Sequence, residues 1–318
     1  MKRSLSAVAA GAALSLLAAC GSNGAETTNG DGTDAVTVGA IAIVDVAPLY
    51  LGEEQGFFTR RGIDLTIETG QGGAATIPGV VSGQFQFGFA NVTSLLLAKS
   101  KGLPLKVITA GNSTTGDVDK DFGAVVVPEN SDITDAAGLA GKTVAVNQLN
   151  NIGDTTIREV VKKAGGDPSS LRFVELAFPD MPAAVQEGRV DAAWVVEPFL
   201  TIATMQGARQ VAANFAGTDP ELMVASYFTA QQVIDSNPDL VNRFTEAMNE
   251  SLAFAEENPD EARRILGTYT QIDDATAKAL TLPRWPTEIN ADSVQRLADL
   301  SVEHGLVTDK PDVPSLLP

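Results

Sequence analysis

GQGGAATIPGVVSGQFQFGFANVTSLLLAKSKGLPLKVI, residues 70–108, decides the fold, because it runs twice from a loop into the front of a helix. Gly70, Gly72 and Gly73 free the backbone to turn, after which residues 74–82 fit one short helix whose first amides have no acceptor inside the helix. QFQFGFA then alternates Phe85, Phe87 and Phe89 with small or polar residues, the period of a strand. It ends in Asn91-Val92-Thr93-Ser94 before the apolar run 95–98, a second helix start. Donor-rich helix starts at the carboxyl ends of neighbouring strands are how an open α/β sheet commonly holds a small molecule.

Working outward, the same alternation continues. Upstream, residues 36–43 (VTVGAIAI) read as a strand, 49–58 as a helix entered through Pro48, and 62–69 as a second strand. Downstream, strands are expected over 105–110 and 122–127. The pattern then restarts with a short helix over 133–140, a strand over 143–146, the polar loop Asn147–Gly153 and a helix over 154–164 stopped by Gly165-Gly166. Strands over 173–176 and 190–195 follow, with helices over 181–187 and 199–206. MVASYF, from residue 223, reads as an isolated apolar strand, and the remainder is helical over 230–234, 240–258, 259–266, 273–280 and 291–304. Strand and helix in alternation give a mostly parallel sheet, and two such halves meet at FGAVVV and again at MVASYF, which makes a hinge between two lobes. The fold class is α/β: two Rossmann-like lobes joined by two hinge strands, with a helical C-terminal part.

The front end is different. Lys2 and Arg3 precede an apolar run over 7–19 that is too short to span a bilayer, and Leu17-Ala18-Ala19-Cys20 resembles the bacterial lipoprotein box. Residues 1–20 are therefore expected to be an export signal, with Cys20 diacylated and the membrane reached through that lipid. Residues 21–35 read as a flexible tether, 36–124 plus 225–318 as lobe 1, and 125–224 as lobe 2. The expected location is the extracytoplasmic face of the cell membrane.

Composition excludes whole classes. The 318 residues carry 22 Lys and Arg against 40 Asp and Glu, a net charge of −18, which repels nucleic acid and anionic lipid. One Cys and one His rule out an internal disulfide and disfavour a zinc site, and a His-based nucleophilic mechanism would rest on His304 alone. Neither a cofactor nor a metal is expected; Asp273-Asp274 reads as a helix start and His304 as a surface or packing residue.

The phrases PLYLGEEQGFFTRRGIDLTI, GVVSGQFQFGFA, LAGKTVAVNQLN, KKAGGDPSSLRFVEL and AAVQEGRVDAAWVVEPF, in that order, resemble the substrate-binding proteins of nitrate, sulfonate and taurine ABC importers. That family looks closely related to the binding proteins for thiamine-pyrimidine precursors. The resemblance runs from about residue 36 to about 258. It implies a type II periplasmic-binding-protein fold with a small solute held between the lobes, and an ABC permease and its ATPase as partners of a monomer. Pyrimidine-precursor synthases share the fold, but such relatives depend on a His and on cysteine-rich segments; the one His of this chain is far from the cleft loops and no Cys follows residue 20, so an enzyme is not expected.

In a fold of this kind Asp45, Val46 and Ala47 face the cleft, and Asp45 alternatively caps its own helix. Gly72, Gly73 and Ala74 offer amides. Asn91, Val92 and Thr93 stand at the second helix start, with Ser94 the more natural cap. From the second lobe come Asn147, Asn150, Thr155 and Glu197. Tyr50 and Trp194 are candidates to stack on a planar ligand, Trp194 also to pack in the core. No arginine is placed on a cleft loop, and a desolvated anion wants a fixed cation or several amides. The set suits an organic solute of the sulfonate or taurine kind, a neutral or zwitterionic solute, or a planar pyrimidine-like heterocycle.

Overall fold

A computed structural model describes residues 32–318. The expected export signal, Cys20 and most of the expected tether lie outside the described residues. Among the described residues no helix is long and apolar enough to cross a membrane.

Among the described residues, ten strands form two five-stranded sheets. The first contains β1 (Asp34–Ala40), β2 (Ile63–Thr69), β3 (Phe87–Asn91), β4 (Leu105–Ser113) and β10 (Met223–Ala230) in the order β2-β1-β3-β10-β4. The second contains β5 (Gly123–Val127), β6 (Thr143–Val146), β7 (Arg172–Glu175), β8 (Ala192–Val196) and β9 (Arg209–Ala212) in the order β7-β6-β8-β5-β9. The two sheets repeat one plan. β1 runs parallel to β2 and β3, and β6 parallel to β7 and β8. One strand in each is antiparallel to both neighbours, β10 in the first and β5 in the second.

Those two antiparallel strands are the ones the sequence places at the hinge. Each is an inner member of its sheet and buried along its whole length, as expected where helices cover both faces. β10 is thus not isolated: it pairs with β3 through Ser226↔Ala90 and with β4 through Ser226↔Ala110. The chain passes between the sheets in the segments just before them, 114–122 and 219–222.

One expected helix is absent. Over 133–140 the chain makes only a single 3-10 turn, Ala137–Leu139. Asp135 Oδ1 starts that turn by accepting the Gly138 N–H at 3.0 Å, and the chain leaves the helical region at Ala140, at ψ 129°, just before Gly141 at φ +76°.

The C-terminal helices cover the first sheet. Phe244, in the helix Pro238–Glu257, stacks on Phe87 of β3 with ring centroids 3.8 Å apart, and both are fully buried. The same helix meets Ala47–Glu54 so closely that a Cβ on Gly52 would stand 1.8 Å from Ser251 Oγ. Arg243 ties it to β1 through Asp34 at 2.5 Å. Asp273 caps the helix Asp274–Ala279 by accepting the Thr276 N–H at 2.8 Å. His304, at the end of the helix Ala291–Glu303, packs beside Glu159, with its Nε2 3.7 Å from that carboxylate.

Candidate functional site

Four strand ends build the site. β1 leads into the segment that carries Asp45, a carboxylate only 3% exposed. Its Oδ1 accepts Asn112 Nδ2–H at 2.9 Å, while Oδ2 has no hydrogen-bond partner. Burial pushes its pKa up to about 7, against the opposing pull of its own backbone N–H and of Asn112. The backbone around it is braced from the C-terminal part: Trp285 Nε1–H donates to Asp45 O at 3.2 Å and Tyr269 Oη–H to Ile43 O at 3.0 Å.

β2 leads into the helix Gly73–Val81 through Gly72, whose φ of +113° favours glycine. No side chain caps this helix. A Cβ on Gly73 would lie 2.6 Å from Ser94 Oγ, so glycine is required there by the close approach of the next helix start. β3 ends in Asn91, and there the sequence expectation of an open helix start is only half met: Asn91 Oδ1 accepts the Ser94 N–H at 2.9 Å and caps the helix Val92–Ser100.

β6 opens into Asn147 and the helix Ile152–Lys163, which is closed by a capping box between Asn151 and Asp154. Asp154 accepts the N–H groups of Asn150 at 2.8 Å and Asn151 at 2.5 Å. Of these three helix starts, the one at Gly73 alone keeps its first amides clear of a side-chain cap.

The loops of the two sheets touch. Asn151 Nδ2–H donates to Ser94 Oγ at 2.8 Å, Val44 N–H donates to Glu197 O at 3.0 Å, and Gly72 lies against the side chains of Asn147 and Gln148. Between them is a cavity of about 40 Å³. The first sheet lines it with Ile41, Ile43, Asp45, Gly72, Gly73, Phe89, Ala90, Asn91, Val224 and Ala225, the second with Asn147, Ile152, Phe178, Trp194, Val196 and Phe215. No Lys, Arg or His is among the lining residues.

Of the residues expected at the cleft, Asp45, Gly72, Gly73, Asn91 and Asn147 are brought together on this wall. The others stand behind or outside it, each for a local reason. Val46, Ala47 and Val92 are core residues, 1% exposed or less. Tyr50 stacks on Tyr269 with centroids 3.9 Å apart instead of on the cavity. Ala74 and Asn150 are exposed, Asn150 in the left-handed region at φ +53°. Thr93 is buried with its Oγ1 unpartnered, and Thr155 Oγ1–H donates back to Asn151 O at 2.7 Å. Glu197 is consumed by the scaffold: Oε2 accepts Thr201 N–H at 2.9 Å, and Oε1 accepts Thr201 Oγ1–H at 2.9 Å and Thr281 N–H at 3.1 Å.

Sequence reasoning missed the apolar wall. Phe178, Phe215 and Ile152 carry no polar signal, and Val224 and Ala225 belong to β10, which only the three-dimensional pairing brings to the cleft. Trp194 does both things expected of it. It packs edge-on against Phe178 and Phe215 at 5.4 and 5.7 Å, and it lines the cavity with its Nε1–H unpartnered.

Comparison with known proteins agrees with this geometry. A putative aliphatic sulfonates-binding protein of Bacillus subtilis is 25% identical over 313 residues, 95% of this chain and 91% of that one. The alkanesulfonate-binding protein SsuA of Xanthomonas axonopodis, solved with MOPS bound, superposes with a TM-score of 0.77 at 19% identity, covering 89% of this chain and 98% of that one. The periplasmic nitrate-binding protein NrtA of Synechocystis does so with a TM-score of 0.74 at 16% identity, covering 90% and 86%. These relatives are binding proteins and not enzymes, and their fold is the periplasmic-binding-protein fold that the sequence resemblance implied. The NMT1/THI5-like family model matches residues 43–262, and the chain belongs to that family.

Proposed function

We propose that this protein is the solute-binding component of an ABC importer, capturing a small organic solute of the sulfonate or taurine kind between its lobes and delivering it to the permease. The observation that supports this most is the shared cavity: loops after β1, β2 and β3 of one sheet and β6 of the other converge on one enclosed space. Lobe 1 is 36–124 plus 225–318 and lobe 2 is 125–224, boundaries that fall two residues inside β5 and β10, with the crossings just before those strands as hinge. Asp45, Gly72, Gly73, Asn91 and Asn147 contact the solute, and aromatic side chains cover its apolar part. That apolar cover suits an organic solute better than nitrate. In the cell the protein is an extracytoplasmic monomer held to the membrane by lipid on Cys20, with the permease and its ATPase as partners.

Solute binding favours whichever arrangement of lobes it touches on both sides, and only that difference in affinity drives closure. A melting-temperature screen of the purified protein tests the reading against sulfonates, nitrate, amino acids and pyrimidines. A bound solute at 100 times its Kd stabilises by ~2.7 kcal/mol, a shift of several degrees. If no compound in the panel moves the transition, solute capture is wrong.

A further inference from the structure

The cavity wall carries two fully buried side-chain polar atoms with no protein partner, and they are opposite in kind. Asp45 Oδ2, from the first sheet, can only accept when ionised; Trp194 Nε1–H, from the second, can only donate. Both side chains are 3% exposed. Resting on the solute-capture reading above, we propose that the solute carries a protonated amine that pairs with Asp45 and an acceptor group that takes the Trp194 N–H and the uncapped amides of the helix Gly73–Val81.

The charge balance favours this arrangement. No cationic side chain lines the cavity, so the countercharge for an ionised Asp45 has to come from the solute. The groups that surround Asp45 do not supply one. Asn112 comes from β4, Tyr50 from Ala47–Glu54, Tyr227 from β10 and Tyr269 from Pro259–Tyr269, and burial holds the three phenols above their ordinary pKa and therefore neutral. The opposite assignment would have a protonated Asp45 donating to an anion. Asn112 Nδ2–H donates to Asp45 Oδ1 and favours the ionised form against the burial that raises its pKa, and a cationic solute tips the balance the same way. An anionic end already has the Gly73 helix start on the first-sheet side and Trp194 on the second. Asp45 thereby selects against amine-free solutes such as the alkanesulfonates and nitrate that the relatives' names specify.

Matched pairs of equal size read this directly. 2-Aminoethanesulfonate is compared with propanesulfonate, and 3-aminopropanoate with butanoate, by calorimetric titration of the purified protein and of its Asp45→Asn and Trp194→Phe variants. The amine member of at least one pair is expected to bind about tenfold tighter or more than its partner. Asp45→Asn should erase that preference, Trp194→Phe should weaken both members alike, and affinity for the amine should fall as the pH drops from about 8 to about 5, where Asp45 protonates. Equal binding within both pairs, a preference that survives in Asp45→Asn, or affinity that rises as the pH falls would overturn the proposal. So would failure of both amines to bind. In that case solute capture stands or falls separately, on whether any amine-free compound of the wider melting screen shifts the transition.

Discussion

Asp45 and Glu197 are two of the buried carboxyls where the sheets meet, and they differ in one respect that separates scaffold from site. Each follows the end of a strand, β1 or β8, and burial raises the pKa of each. Glu197 has three protein donors shared over both of its oxygens. Asp45 has one oxygen engaged and one bare. A buried polar atom without a partner costs stability, so a structure retains one where something outside the chain completes it. On sequence alone the two looked alike, both as candidates to touch the solute.

Isosteric amide substitutions break the comparison most sharply. In Glu197→Gln, Thr201 N–H and Thr281 N–H sit on different oxygens, so whichever oxygen becomes an amide nitrogen confronts a backbone donor. The expected loss is ~3 kcal/mol, since a donor is left unpaired in a buried place and the bonds around it weaken. Denaturant unfolding measures it, and a loss below about 1 kcal/mol would mean that Glu197 is not the structural keystone described here.

Asp45→Asn has the opposite sign. The carboxyl titrates near 3.8 when unfolded and at about 7 in the fold, so folding favours its protonated form. That contribution is fully present below pH 3.8 and is lost as the pH rises through 7. The ligand-free protein at pH 8 therefore holds an unfavourable buried charge, worth at most ~4 kcal/mol for a shift of about three units. Asparagine removes the charge and keeps an acceptor for Asn112. The variant should be about 2 kcal/mol more stable than the parent at pH 8 and nearly equal to it at pH 4. A variant less stable at pH 8 would mean that Asp45 finds a partner within the chain after all.

What the sequence made legible follows from the range of each signal. Strand period, helix punctuation and the glycine loop are local, and they located the loops at Asp45, Gly72, Asn91 and Asn147 that the fold does bring onto one wall. Which of those loops keeps its donors free is a matter of capping. Of the helix starts after β2, β3 and β6, the Asn91 and Asn151 caps leave the Gly73 start without one, and asparagine in a polar loop reads the same whether it caps or binds. The scaffold bonds of Glu197 were illegible because its partners Thr201 and Thr281 lie in different elements, the latter in the C-terminal part that the resemblance did not cover. The brace on Asp45 from Trp285 and Tyr269 was illegible for the same reason, being more than 200 residues away in the chain.

The smallest expected effect tests whether the contact between loops matters to capture or only to the shape of the cleft. Ser94 Oγ receives Asn151 Nδ2–H across the cleft while its own backbone N–H is held by Asn91. Ser94→Ala removes this cross-cleft bond together with the longer one from Ser94 Oγ–H to Asn151 Oδ1, and leaves the helix cap intact. A neutral hydrogen bond of this kind contributes ~1 kcal/mol, a factor of about five in the equilibrium between lobes together and lobes apart. Apparent affinity scales with the fraction of protein in the binding-competent arrangement, so any solute found in the screen should bind the variant up to about fivefold more weakly. Solution scattering of the ligand-free variant should show a larger radius of gyration, and saturation with solute should restore the parental value. Weaker binding with no change in scattering would place Ser94 in contact with the solute instead, and would move the second helix start from the frame of the cleft to its binding surface.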